Sequence, residues 1–525
     1  MKFSIQVLKN ILANWGSYLI GTIIGFLMMP FVVDKLGDIR YGVWILIMNM
    51  IGYLGLLDFG VSGSIAKYVA EYQARKDKEG LDRVCSTAFF IYLFFGALAF
   101  LGSIAISLHL LPLFKIPAEH LRETQYVAVI VGLEIALTLP ISFFSGYMRG
   151  MQRYDVLAGI ALGVNLVRSG FTILLLLRGH GLIALALLHV FTAIGSGIIK
   201  IVYVVRKSPD LRIKYGLVNR EKISMVVNYS VHIFLYYIAT RLIFAIDTLI
   251  IGYFLTAQAV TFYAIPQRLI EYLRVLIMAT GVVLPTASHF DATGELEKIK
   301  GILIKGTKYS LIIALPVGIA YGIVGEEFLG LWMGPKYASP CYPVLLVLSI
   351  GILAHISQFT AIQVLQGINR HKFTAQSAVA EGVVKFTLCY LLVGDYGNLG
   401  VAIGTSIPML LNNLVVIPLY ACRSIRIPLK EYFPEAILRP LASGAVFGGI
   451  LFGTKQVWTP DSWMHLCLII AVALLPYGIL ALKTCFTREE RESRFREILA
   501  AFGSLYVGLK RVPFSFRYKA IRRKG

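Results

Sequence analysis

The chain has 525 residues, of which 57% are hydrophobic and only 15% charged, with a mean hydropathy of +0.73. A soluble protein of this size carries roughly 25% charged residues, so the composition excludes a soluble domain. The formal net charge of +21 does not signal nucleic acid, because Lys and Arg gather in alternate connections and at the C-terminal end.

Apolar runs of about 20 residues, enough to cross ~30 Å of hydrocarbon, recur along the whole sequence. Fourteen stand out, at 11–33, 41–66, 86–111, 124–148, 156–178, 182–205, 225–251, 259–287, 306–324, 343–366, 377–394, 400–422, 436–454 and 464–482. They predict an all-α polytopic membrane protein of 14 transmembrane helices. The first run is too long for a signal-peptide core and lacks a small-residue cleavage site, so it reads as a retained helix. An even count puts both termini on one side. The connections on the other side hold few basic residues (Lys35, Arg40, Lys115, Arg122, Arg178, Lys336 and Lys455). By the positive-inside rule both termini are cytoplasmic.

A weak internal repeat runs through the chain. Gly150-Met151-Gln152-Arg153-Tyr154 corresponds to Gly367-Ile368-Asn369-Arg370-His371 at an offset of 217, and Tyr203 and Arg206 recur as Tyr420 and Arg423. Leu36 and Tyr41 map loosely on Leu255 and Tyr263. An offset of six spans preserves orientation, which predicts two parallel-repeat six-helix bundles around a central cavity, with two further C-terminal helices. The expected units are 1–222, 223–435, 436–484 and a basic tail at 485–525. In the tail Phe495, Ile498, Leu499, Phe502, Leu505, Tyr506 and Leu509 recur at helical spacing before a basic end. That pattern suits an amphipathic helix on the inner leaflet, or one that binds a cytoplasmic partner.

Scattered cysteines without a CxxC give neither a disulfide framework nor a zinc site. No GxxxxGK[ST], no GxGxxG after a strand and no HExxH is present. No metal, cofactor or catalytic activity is therefore expected.

Charge at membrane depth carries the functional signal. Arg168, Arg241, Arg268, Arg274 and Lys385 face Asp58, Glu134, Asp247, Glu271 and Glu381, each costing ~2.5–3.5 kcal/mol at a helix centre unless paired, hydrated or ligand-bound. Glu381 and Lys385 are spaced i,i+4, and Glu271 lies three residues from both Arg268 and Arg274. Tyr263, Gln267, Glu271 and Arg274 make a polar stripe on the eighth span, suited to a water-filled cavity. On the first span Asn14, Ser17, Gly21 and Gly25 share a face that reads as close helix packing, and the seventh carries Asn228, His232 and Tyr236. Guanidinium groups bind phosphate oxygens bidentately and stay charged at depth. The expected ligand-binding set is therefore Arg168, Arg241, Arg268, Arg274, Lys385, Tyr263 and Gln267, with Asp247 and Glu271 for ion coupling. Because acids and bases balance, the same residues also read as mutually neutralising buried pairs. His109, His189, His232 and His355 read as packing residues, and Asp58 as fixing a helix end.

The stretch from Asp34 to Tyr72 carries a tight loop (Leu36-Gly37, then Arg40-Tyr41-Gly42) and an apolar span. It ends Leu56-Leu57-Asp58-Phe59-Gly60 and Lys67-Tyr68-Val69-Ala70-Glu71-Tyr72. It resembles the second-helix signature, LGxxxYGxW followed by LLDxGxxxxxxKYVAEY, of polysaccharide flippases in the multidrug/oligosaccharidyl-lipid/polysaccharide exporter superfamily. Asp247-Thr248-Leu249-Ile250-Ile251-Gly252 is similar to that family's DxxIIG, and the resemblance covers roughly residues 5–480. It implies alternating-access export of an undecaprenyl-pyrophosphate-linked oligosaccharide across the bacterial inner membrane, for O-antigen, capsule or exopolysaccharide assembly. The partners implied are the lipid-linked oligosaccharide, membrane lipids, and polysaccharide polymerase and chain-length proteins. A drug/cation antiporter of the same superfamily and a peptidoglycan lipid-precursor flippase are the alternatives. A glycan polymerase would need a larger outer loop than the eighteen or so residues at about 325–342. A scaffold in a synthesis complex would not need the deep arginines.

Overall fold

The computed structural model describes residues 2–278 and 283–486, with side chains at 16–226, 238, 241, 243–275 and 283–486. Every regular element among them is helical, as hydrocarbon demands of a backbone that must satisfy its own N–H and C=O groups. In chain order these are α1 (Lys2–Leu36), α2 (Asp38–Gly52), α3 (Val61–Arg75), α4 (Lys78–Ala105), α5 (Ala118–Gly150) and α6 (Tyr154–Leu177). Next come α7 (Leu182–Lys207), α8 (Arg220–Phe254), α9 (Ala257–Met278), α10 (Val283–Ala292), α11 (Leu296–Met333) and α12 (Pro335–Gly367). The last are α13 (His371–Leu411), α14 (Ile417–Ile425), α15 (Leu429–Phe433), α16 (Arg439–Val457) and α17 (Trp463–Thr484). Eleven helical stretches among the described residues are long and apolar enough to cross a membrane. The predicted tail helix lies outside the described residues.

Some predicted runs depart from single helices. The second, 41–66, breaks between α2 and α3 at a 3₁₀ turn, Tyr53–Asp58, followed by Phe59 (φ 46°) and Gly60 (φ 74°). Gly52, Gly55 and Gly60 weaken that stretch, and Asp58 accepts the Tyr92 hydroxyl there, so it does mark a helix end. The runs at 377–394 and 400–422 join in one hairpin, α13, which reverses at Gly397 (φ 56°, ψ −134°). Its arms pack tightly, for a Cβ on Gly404 would sit 2.6 Å from the Cys389 nitrogen. The outer loop expected at about 325–342 is helical instead. Here α11 continues to Met333, Gly334 (φ 105°) alone makes the turn, and Pro335 opens α12, at a position where its missing N–H is not needed.

Two turns recur with the same hydrogen bonds. After α5, Met151, Gln152 and Arg153 donate their N–H groups to the carbonyls of Tyr147, Arg149 and Met148. After α12, Ile368, Asn369 and Arg370 donate to those of Val364, Gln366 and Leu365. Gln152 and Asn369 are both left-handed, at φ 57° and 60°. The turn after α3 (Lys76 at φ 56°, Asp77 N–H to Tyr72 O) matches the turn after α10 (Gly294 at φ 73°, Glu295 N–H to Phe290 O).

The apolar clusters reveal how the helices assemble. The largest, including Met29, Val33, Tyr41, Ile47, Ala257, Leu329 and Trp332, joins α1, α2, α9, α11 and α12 at the end remote from the basic connections. At the basic end, one cluster holds α3, α4 and α5 together, another α10, α11, α12 and α14, and the two share no residue. Where α2 meets α9 the backbones lie so close that a Cβ on Gly42 would fall 1.8 Å from the Ala257 carbonyl oxygen. Only glycine fits there.

Candidate functional site

Inside this arrangement lies a cavity of about 690 Å³ whose walls come from α1, α2, α6 and α7 on one side and α9 on the other. On α1 the face carrying Ser17, Gly21 and Gly25 lines it. That face was expected to pack helices. Instead, a Cβ on Gly21 would meet the Asn165 amide at 3.4 Å, and one on Gly25 the Tyr272 hydroxyl at 3.1 Å, so the absent side chains keep the cavity open. The side chains of Asn14, Asn228, His232 and Tyr236 lie outside the described residues.

Asn165, Arg168, Ser169 and Thr172 follow i,i+4 and i,i+3 spacing on α6 and face the cavity together. The Arg168 guanidinium donates to the Thr192 hydroxyl of α7 through Nε (3.2 Å) and Nη2 (2.9 Å). Its Nη2 also lies 3.5 Å from Glu134 Oε1 of α5, whose Oε2 is 3.3 Å from His189 Nδ1. Trp44 sets its ring edge-on to His189 at 5.2 Å. Glu134 thus bridges a guanidinium and an imidazole beside the cavity. The sequence reading gave Arg168 no partner and His189 a packing role, because the partners stand on neighbouring helices, invisible to spacing along one.

Across the cavity, Arg268 Nη1 and Glu271 Oε2 are 2.7 Å apart, the i,i+3 pair that the spacing predicted. Arg268 and Glu271 line the cavity, but the rest of the expected α9 stripe turns away from it. Tyr263, Gln267 and Arg274 border a separate small void of about 30 Å³, which Glu271 also touches. The Tyr263 hydroxyl donates to Asp247 Oδ2 (2.8 Å), and Gln267 Nε2 to the Phe244 carbonyl (3.1 Å). Arg274 lies over the Phe244 ring at 4.1 Å.

Lys385 departs from expectation. Its ammonium does not pair with Glu381 and does not reach either cavity. It lies 2.8 Å from Asp247 Oδ1 and also donates to the Ile243 carbonyl, with Lys385 only 1% exposed. Glu381 instead accepts from Asn412 Nδ2 at 2.6 Å. Thr405 adds a hydrogen bond to Asp247 at 3.2 Å. Asp247 offers a fully desolvated partner across the helix interface, which outcompetes the i,i+4 neighbour. Arg241 stands apart, exposed beside Gly52 at the end of α2. The structure therefore brings Arg168, Arg268 and Glu271 to one cavity, gathers Asp247, Tyr263, Gln267 and Arg274 around another, buries Lys385 and leaves Arg241 aside.

At the end remote from the basic connections Asp38 opens α2 and is held from α9 and α12. It pairs with Lys336, and accepts the Tyr337 hydroxyl at 2.5 Å and the Gln258 amide at 3.3 Å. Trp332 Nε1 donates to the Phe26 carbonyl (3.0 Å) while its ring stacks on that of Phe26 at 4.8 Å. These contacts tie α1 and α2 to α9, α11 and α12 at the end of the cavity remote from the basic connections.

Known proteins resemble this chain in sequence or in fold. The chain is 23% identical over 423 residues to a Shigella flexneri protein described as an O-antigen transporter, covering 79% of this chain and 98% of that one. It is 22% identical over 511 residues to a Haloferax volcanii protein described as a probable low-salt glycan biosynthesis flippase, covering 94% and 98%. Among solved structures, the lipid II flippase MurJ in an inward closed conformation matches with a TM-score of 0.71 at 15% identity, over 91% of this chain and 98% of that one. An inward-facing MATE-family multidrug transporter matches with a TM-score of 0.64 at 16% identity, over 77% and 94%. These structural likenesses show a common fold. Residues 7–290 match the family model of polysaccharide biosynthesis proteins, more than half of the chain, and this protein belongs to that family.

Proposed function

We propose that the protein is a flippase. It moves an undecaprenyl-pyrophosphate-linked oligosaccharide from the cytoplasmic to the outer leaflet of the bacterial inner membrane, for surface polysaccharide assembly. The observation that carries this reading is the placement of two guanidinium groups, Arg168 and Arg268, on walls of one cavity contributed by different halves of the chain. Such a pair suits a diphosphate, which two forked donors hold bidentately. Relatives described as an O-antigen transporter and a glycan biosynthesis flippase support the same substrate class.

The recurring turns after α3 and α10 and after α5 and α12 support two six-helix halves related in parallel. Fourteen spans follow when the α13 hairpin is taken as two and α8 and α9 as one each. With both termini cytoplasmic, the end remote from the basic connections faces outward and the loaded cavity opens inward. Diphosphate displaces Glu134 and Glu271 from their arginines, and the halves then rock to expose the ligand outside. Glu271 is the coupling carboxylate in this scheme, since it alone touches both cavities and gains or loses Arg268 as ligand binds. The product passes to a polymerase and its chain-length protein. A drug/cation antiporter is less well served, because the described carboxylates beside the large cavity are already paired with arginine.

The test uses purified protein in proteoliposomes with a fluorescent polyprenyl-diphosphate oligosaccharide. Wild type transfers it between leaflets, and Arg168→Ala or Arg268→Ala slows transfer about ten- to hundredfold, the loss of a hydrogen bond to a charged group. Export of organic cations without glycolipid transfer overturns the reading, and selective transfer of a peptidoglycan precursor reassigns the substrate.

A further inference from the structure

On the outer surface of α6 and α7 lies a second, larger recess of about 1040 Å³ with apolar walls. It is a trough and not a flat face. At Gly159, Gly163 and Gly195 an added Cβ would meet nothing within 4 Å, while Phe171 and Phe191 rise beside them, 52% and 66% exposed. Along α6 it runs from Val156 to Leu175, about 28 Å at 1.5 Å per residue, close to the full ~30 Å of hydrocarbon.

The trough and the polar cavity share one wall. Thr192 lines the trough, and Arg168 lines the cavity. Between them run the only polar contacts described across this part of the α6–α7 seam, the two hydrogen bonds from Arg168 to Thr192. We propose that the trough holds the polyprenyl chain of the ligand while its diphosphate reaches Arg168 through the α6–α7 seam, taking the place of Thr192. This rests on the flippase reading and adds the place and route of the lipid moiety.

Two features favour that occupant over an ordinary phospholipid. Arg168 stands roughly 18 Å and 10 Å from the two ends of the trough, a depth at which a resting phospholipid places no phosphate but a diphosphate in transit does. The trough also extends beyond the half-bilayer reach of one acyl chain, as a long isoprenoid does.

The experiment places the full chain in phosphatidylethanolamine/phosphatidylglycerol vesicles with a diazirine-tagged polyprenyl diphosphate. Labelling is expected on α6 and α7 peptides, with competition by unlabelled polyprenyl diphosphate and not by added phosphatidylglycerol. Gly163→Leu and Gly195→Leu fill the trough in open space, so folding is retained, as a thermal melt checks. Both are expected to lower labelling and glycolipid transfer about tenfold, with binding of short, water-soluble geranyl diphosphate unchanged. Equal competition by phosphatidylglycerol, or wild-type transfer by both Leu variants, overturns the inference while leaving the flippase reading in place. A wild type that neither binds geranyl diphosphate nor transfers glycolipid overturns both.

Discussion

Asp247 of α8 and Lys385 of α13 meet 2.8 Å apart with almost no exposed surface. The pair ties the seventh and eleventh predicted spans together beneath the small void and not within the large cavity. Removing one partner leaves an uncompensated buried charge, which costs about 3–5 kcal/mol. Asp247→Leu or Lys385→Met alone should therefore unfold markedly earlier in a detergent melt. The double variant should regain most of the loss and keep glycolipid transfer. Transport abolished in a stable double variant would give the pair a direct part in coupling.

Arg168 offers its fork to Thr192 and Glu134 at once. Arg168→Lys keeps the charge but loses the planar, two-toothed geometry. We expect diphosphate binding, followed by calorimetry with geranyl diphosphate, to weaken about tenfold. Glu134→Gln removes the competing carboxylate and should tighten the same binding while slowing transfer, because release is then disfavoured. Binding indifferent to both substitutions would make the Arg168–Glu134 contact structural.

Asp38 anchors the end remote from the basic connections through Lys336, Tyr337 and Gln258. Asp38→Asn removes the ion pair and should shift the population toward a state open at that end. A cysteine at Met28, which lines the cavity, would then react several-fold faster with an impermeant thiol reagent added outside. An unchanged rate would show that apolar packing alone holds the end closed.

Gly42 has no room for any side chain against the Ala257 carbonyl. Gly42→Ala should cost about 1–3 kcal/mol of overpacking and raise the same outside reactivity. Gly170→Ala, where nothing lies within 4 Å of the added carbon, should be neutral or slightly stabilising by about 0.5–1 kcal/mol, since glycine is a poor helix residue.

The apolar runs were legible because hydrocarbon imposes a length and a composition on every helix that crosses it. The likeness of the Gly150 and Gly367 segments was legible too, although only the structure shows that both are turns built around a left-handed residue. Within the site, Arg268–Glu271 could be read from spacing along a single helix. Arg168–Glu134–His189 and Asp247–Lys385 could not, because each joins different helices and no periodicity along one helix records which faces meet. The break at Tyr53–Gly60 was hidden for a different reason. An apolar run looks continuous whether it is one helix or two, and only the three glycines hinted at the interruption.

The single-residue turn at Gly334 has a mechanical consequence. Trp332, on one side of it, grips α1 at Phe26, and Lys336 and Tyr337, on the other, grip α2 at Asp38. With one residue between the two helices, these grips are teeth on one jaw. Lifting Lys336 off Asp38 should draw Trp332 away from Phe26, so the two grips should part as a unit. Two grips carried on one short turn should open together and not one at a time, which would shorten the time that a membrane carrier with a large interior stands ajar.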